Sequence, residues 1–185
     1  MIRQRLAAIF VTIAAVQLLA SCGERPTSAE LGKGPSFFLR GSGRLASFRI
    51  YGPQPGHKIG TPFDENSLVW CVQSSQGYFK GSPVSQLTVE YGIIPENYVQ
   101  RIPIGSLATP LRPGSVYYFF AETTDAPPAA GFFYLDENLP MEINIPDLCE
   151  TGFTGEVKPI KCDNKEPYTE PADLKRFALE HRVQK

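Results

Sequence analysis

Hydrophobic and polar positions change rhythm several times along this chain. Leu6 to Leu19 is an apolar run of fourteen residues, interrupted only by Thr12 and Gln17. That length is too short for a helix across a roughly 30 Å hydrocarbon layer but suits the apolar region of a signal peptide. Gly23 to Ser36 is rich in Gly, Pro, Ser and charge, with no apolar period, and reads as a flexible tether averaging roughly 20 Å end to end. From Phe37 to Asp147 short apolar runs alternate with turn residues.

Period-two alternation marks the strands in that region. Arg44 to Tyr51 places Ala46, Phe48 and Ile50 on one face, with Leu45, Ser47 and Arg49 on the other, and Gly52-Pro53 stops it. Leu68, Trp70 and Val72 share a face, as do Leu87, Val89 and Tyr91. Asn97 to Ile102 is a further candidate, cut off by Pro103. Ser115 to Thr124 is aromatic on both faces, as a central strand buried on both sides requires. Gly131 to Asp136 and Met141 to Ile145 complete a set of seven strands with no helical period between them. The pattern predicts an all-β fold, an antiparallel β-sandwich of about seven strands. After Asp147 comes an irregular stretch, Leu148 to Tyr168. A short C-terminal helix then opens at Pro171, about thirteen residues long, with Leu174, Phe177, Ala178 and His181 in one apolar stripe. A helix of that length is marginal alone and is expected to dock on the sandwich.

Arg3 and Arg5 precede the first apolar run, and Leu19-Ala20-Ser21-Cys22 closes it. Basic head, apolar run and four-residue box in this order resemble the lipobox signal peptide of bacterial lipoproteins. The resemblance implies that the Cys22 thiol receives a diacylglycerol, that residues 1–21 are removed, and that acyl chains hold the mature protein on a membrane. Gly23 after the cysteine, in place of the aspartate associated with inner-membrane retention, implies the outer membrane. The expected organisation is a leader over 1–21, lipidated cysteine and tether over 22–36, sandwich over 37–147, and a disulfide-bearing tail with its helix over 148–185.

Removal of the leader leaves 164 of the 185 residues, enough for one domain. The mature chain carries 16 cations against 19 acids, a net charge of −3. The cations are scattered, which argues against nucleic-acid binding. Export into an oxidising compartment favours a disulfide among Cys71, Cys149 and Cys162. Cys149–Cys162 closes a loop of about fourteen residues, worth on the order of 3 kcal/mol. Cys71 lies within a strand and reads as a small buried apolar residue, although a bridge from it to a late cysteine is the alternative pairing.

Leu111-Arg112-Pro113-Gly114-Ser115-Val116-Tyr117 has the form L-x-P-G-x-x-Y at the start of an apolar strand. It resembles the tyrosine corner of fibronectin type III and related immunoglobulin-like domains, and Trp70 and the Val89–Tyr91 stretch fit the same pattern. The resemblance spans Arg44 to Ile145. It implies that the Tyr117 hydroxyl bonds back to the preceding backbone.

Candidate chemistry is sparse. His57 lies in a Pro/Gly-rich loop and His181 on the terminal helix, with no motif that would make either a catalytic base. Without a CxxC, two distant histidines do not make a zinc set, and Asp136-Glu137-Asn138 lacks the spacing of a calcium loop. Glu90, Glu96, Glu122, Asp125, Asp136 and Glu137 are read as strand-end and turn acids facing water. No catalytic residue, metal or cofactor is assigned. Tyr78 and Phe79, between Gly77 and Gly81, form a candidate binding loop, with folding back over the core as its alternative. The expected function is a non-enzymatic periplasmic binding or structural module, attached to the membrane by its lipid and meeting another envelope or secreted protein. Asn66 to Val72, Ser82-Pro83 and Leu87 to Tyr91 are similar to type VI secretion immunity lipoproteins, which implies an immunity role against a secreted toxin as one alternative. An envelope hydrolase using a carboxylate pair is the other.

Overall fold

The computed structural model describes residues 25–52, 67–136, 139–143, 174–180 and 182–183. Among them are nine strands: β1 (Ser28–Leu31), β2 (Ser36–Arg40), β3 (Arg44–Tyr51), β4 (Leu68–Ser74), β5 (Thr88–Glu90), β6 (Tyr98–Ile102), β7 (Ser115–Thr124), β8 (Ala129–Asp136) and β9 (Leu139–Ile143). They form two antiparallel sheets, one in the order β1-β2-β5 and the other in the order β6-β4-β3-β7-β8-β9. The fold is the expected all-β sandwich. Consecutive strands β2 and β3 lie in different sheets and β5 returns to pair with β2, the crossover habit of immunoglobulin-like sandwiches. β6 and β9 extend the larger sheet at its two edges.

Two strands exceed the seven expected, and both lie at the start of the fold. β2 buries Phe37 and Leu39 while Phe38 and Arg40 face out. The outward Phe38 blurs what is otherwise a period of two. β1 falls inside the stretch expected to be a tether, and this corrects that expectation. Its Ala29 and Leu31 pack against the core, the Arg25 backbone and the Ser42 side chain exchange two hydrogen bonds, and the Thr27 hydroxyl lies 3.2 Å from that of Thr123. The fold therefore starts by Arg25.

Register defines two ends of the sandwich. At the amino end Ser28 pairs with Arg40, and Arg44 pairs with Thr124. At the opposite, corner end, Ser36 pairs with Glu90 and Tyr51 with Tyr118. There the Tyr117 hydroxyl accepts from the Arg112 N–H at 2.7 Å and donates to the Arg112 carbonyl at 3.3 Å, the bond that the corner motif implies.

The core lies between the sheets. Phe37, from the smaller sheet, meets Phe48, Phe119 and Phe133 of the larger one at ring separations of 4.8, 5.1 and 5.6 Å. Trp70 and Val72 bury on the same side, as their alternation predicts. Leu68 does not join them: the register shifts before Trp70, and Val69 packs against the core instead. Leu45 does not follow the alternation. A bulge between Leu45 and Ser47 in the β3–β7 pairing turns Leu45 onto the core face, beside Phe48 and Ile50. β7 is buried on both faces: Tyr117, Phe119 and Ala121 join the central core, and Val116 joins a second cluster on the outer side. That cluster receives the helix α1 (Leu174–Glu180), whose Ala178 packs with Val116, Tyr134 and Ile143. The described helix has seven residues; the start of the expected span, Pro171 to Asp173, and His181 after the helix lie outside the described residues. Beyond it, Val183 bonds its N–H to Glu142, which carries the chain past the outer edge of β9.

Phe37 is fully buried against three rings, so Phe37→Ala is expected to lower unfolding free energy by about 3–5 kcal/mol in urea titrations. Phe38→Ala, one position along and facing out, is expected to cost less than about 1 kcal/mol.

Candidate functional site

Gly77, at φ 104°, opens a 3-10 turn over Tyr78–Lys80. The turn stays outside the core and does not fold back over it, which overturns that alternative. Tyr78 is 45% exposed and Phe79 72%, their rings edge to face at 5.0 Å. Gly81 holds the turn close to β3, because a Cβ there would collide with the Leu45 carbonyl oxygen. Arg44 donates to the Gly81 carbonyl at 3.0 Å, and the Leu45 N–H donates to the Ser82 carbonyl at 2.9 Å. The aromatic pair is thus fixed at the amino end of the sandwich.

Behind the turn, the outer face of the larger sheet carries a polar cluster. Glu122 accepts from Ser47 and from Arg49, both at 2.7 Å. Glu122 was expected to face water near a strand end. Instead it sits half-buried within β7, opposite Ser47, and the cross-strand pairing supplies its partners. Burial opposes the charge on Arg49, but Glu122, Tyr51 and Cys71 outweigh it and raise its pKa. Arg49 also lies over the Phe120 ring at 5.9 Å. Cys71, paired with Arg49 across the strands, is buried and free. Burial pushes its thiol pKa up, and Arg49 counters only part of that. Burial and then the Glu122 carboxylate also raise the Tyr78 phenol.

A second surface is formed by the segments that follow β5 and β6, at the edges of the two sheets. The Trp70 indole N–H donates to the Gln100 side-chain oxygen at 3.2 Å, and the Gln100 amide donates to the carbonyls of Pro103 and Ser106 at 2.8 and 2.7 Å. One glutamine therefore joins the core tryptophan to the loop after β6. That loop presents Ile104 at 85% and Leu107 at 89% exposure. It is joined to the segment after β5 by the Tyr91 hydroxyl, which donates to the Thr109 carbonyl at 2.6 Å, and by the approach of Gly92 to Ala108. The segment after β5 adds exposed Ile93 and Ile94. This aliphatic surface was not singled out in the sequence. Its residues fall in turns, where alternation gives no face to count.

Of the remaining candidates, Glu90, Glu96 and Asp125 are exposed, and the Asp136 carboxylate takes Lys175 at 3.0 Å. Cys22, His57, Glu137, Asn138, Cys149, Cys162 and His181 lie outside the described residues, and so does the expected Cys149–Cys162 bridge. Among the described residues no three His, Cys, Asp or Glu side chains converge to hold a metal ion. No protein-family model matches the chain, and neither does any curated protein or solved structure.

Burial, with the Tyr117 phenol beside it, pushes Tyr91 up to about 12. The folded state prefers the protonated phenol, so this contribution to stability is complete below the ordinary value near 10 and is lost as pH rises towards about 12. Burial raises Tyr98 and Tyr117 in the same direction. Urea midpoints are expected to fall across that interval together with tyrosinate absorbance, and Tyr91→Phe is expected to shrink the fall without abolishing it.

Proposed function

We propose that this protein is a lipid-anchored lipoprotein of the bacterial cell envelope. It faces the periplasm, on the outer rather than the inner membrane, and acts as a non-enzymatic binding or structural module. The leader pattern ending at Cys22 supports the anchor. The observation that carries the binding part is the aliphatic edge of Ile93, Ile94, Ile104 and Leu107. Large aliphatic side chains grouped on fixed loops favour a protein partner, because covering them releases water from apolar surface. Charged side chains are few on these loops, as in the centre of a protein interface.

Growth on labelled palmitate is expected to mark the full-length chain and not Cys22→Ser, which is expected to leave the membrane fraction; an unmarked wild type would refute the anchor. A photo-crosslinking residue at position 107 is expected to give one discrete adduct in intact cells. Ile104→Asp/Leu107→Asp, read with a crosslinker at position 93, is expected to abolish that adduct with the melting temperature unchanged. An undiminished adduct would show that this edge does not bind. A secreted toxin as the partner would identify the module as an immunity protein.

A further inference from the structure

We infer that the amino end of the sandwich rests directly on the lipid surface, with the Phe79 side chain in the interfacial layer beside the acyl anchor. The inference builds on the proposed acylation of Cys22 and adds an orientation to it. Cys22 lies outside the described residues, but it is only three positions before Arg25. Three residues reach at most about 10 Å even when fully extended. Arg25 is not free to drift from the fold, since its backbone and the Ser42 side chain exchange hydrogen bonds at 2.9 and 3.0 Å. Thr27 follows, buried, its N–H donating to the Pro127 carbonyl at 3.1 Å. A lipid on Cys22 therefore brings the amino end within one short covalent reach of the headgroups.

The corner end lies beyond that covalent reach, so the amino end is the part of the fold held at the headgroups. β3 alone runs eight residues from one end towards the other, about 26 Å. The side chains at the amino end have the chemistry of an interfacial contact. Phe79 projects an exposed ring, Tyr78 braces it edge-on, and Lys80 follows. Aromatic rings settle at the boundary between headgroups and acyl chains, where one side is apolar and the other wet. Exposed Arg25, Arg40, Arg44 and Lys80 at this end are offset by exposed Glu30, Glu96 and Asp125, so the contact rests on the aromatic pair and the short link to Cys22 rather than on charge. The same orientation turns the loop of Ile104 and Leu107, near the corner end, away from the bilayer.

The test uses the full-length lipidated protein in vesicles of phosphatidylethanolamine and phosphatidylglycerol with brominated acyl chains. Phe79→Trp and Leu107→Trp each place a reporter on an exposed position, with the buried Trp70 as a common background. Quenching of Phe79→Trp is expected to exceed that of Leu107→Trp by about twofold or more. Flotation separates the two ways of failing. Protein that does not float refutes the anchor and the orientation with it. Protein that floats while both reporters are quenched equally, or Leu107→Trp more strongly, keeps the anchor and overturns the orientation.

Discussion

Phe37 is the residue on which closure of the fold depends. It is the ring that the three-stranded sheet inserts among Phe48, Phe119 and Phe133 of the six-stranded sheet. Apart, the three-stranded sheet leaves its apolar face in water, and the open six-stranded sheet leaves its inner aromatics there. The two become a domain only by covering each other. Phe37 and Leu39 from β2 and Val89 from β5 supply the small sheet's side of that contact. The surface features described here all rest on loops or strands held in place by it.

Polar groups at the margins of the core are joined in ways that fix loops to strands. The Tyr98 hydroxyl donates to the Leu45 carbonyl at 2.8 Å and accepts from the Ser82 N–H at 3.0 Å, which links β6, β3 and the chain after the aromatic turn. Tyr117 does the same at the corner and Gln100 at the open edge. Each is a buried or half-buried group bonded to backbone atoms of a neighbouring segment, and Gln100 also accepts from the Trp70 indole. Such bonds stabilise modestly, but the unpaired alternative is costly, so they select one loop conformation over others.

Where alternation was clean, the strands were legible. Arg44–Tyr51 and Ser115–Thr124 have the same bounds in sequence and structure, and the double aromatic face of β7 announced its central place. β1 was not legible because four residues on a sheet edge need only two half-buried side chains, Ala29 and Leu31, among Gly, Pro and Ser. β2 was obscured by Phe38, an exposed aromatic at an outward position. The bulge at Ala46 was unreadable for a different reason: it is a property of how β3 meets β7, and neither strand carries it alone. Glu122 belongs to the same class, since its carboxylate gains Arg49 and Ser47 only through that pairing. Tyr78 and Phe79 stood out because glycines isolate them. The four aliphatics of the open edge did not, because a turn residue's exposure depends on which segments lie beneath it.

The loop carrying Ile104 has consequences for how this surface can change over generations. Gln100 grips the carbonyls of Pro103 and Ser106, on either side of Ile104, while its own oxygen is occupied by Trp70. Backbone length in that span is consequently locked, and an inserted or deleted residue would break the grip. Side-chain identity at 104 and 107 is under no such restraint. The side chains presented there can therefore change by single substitutions while the backbone that presents them keeps its length.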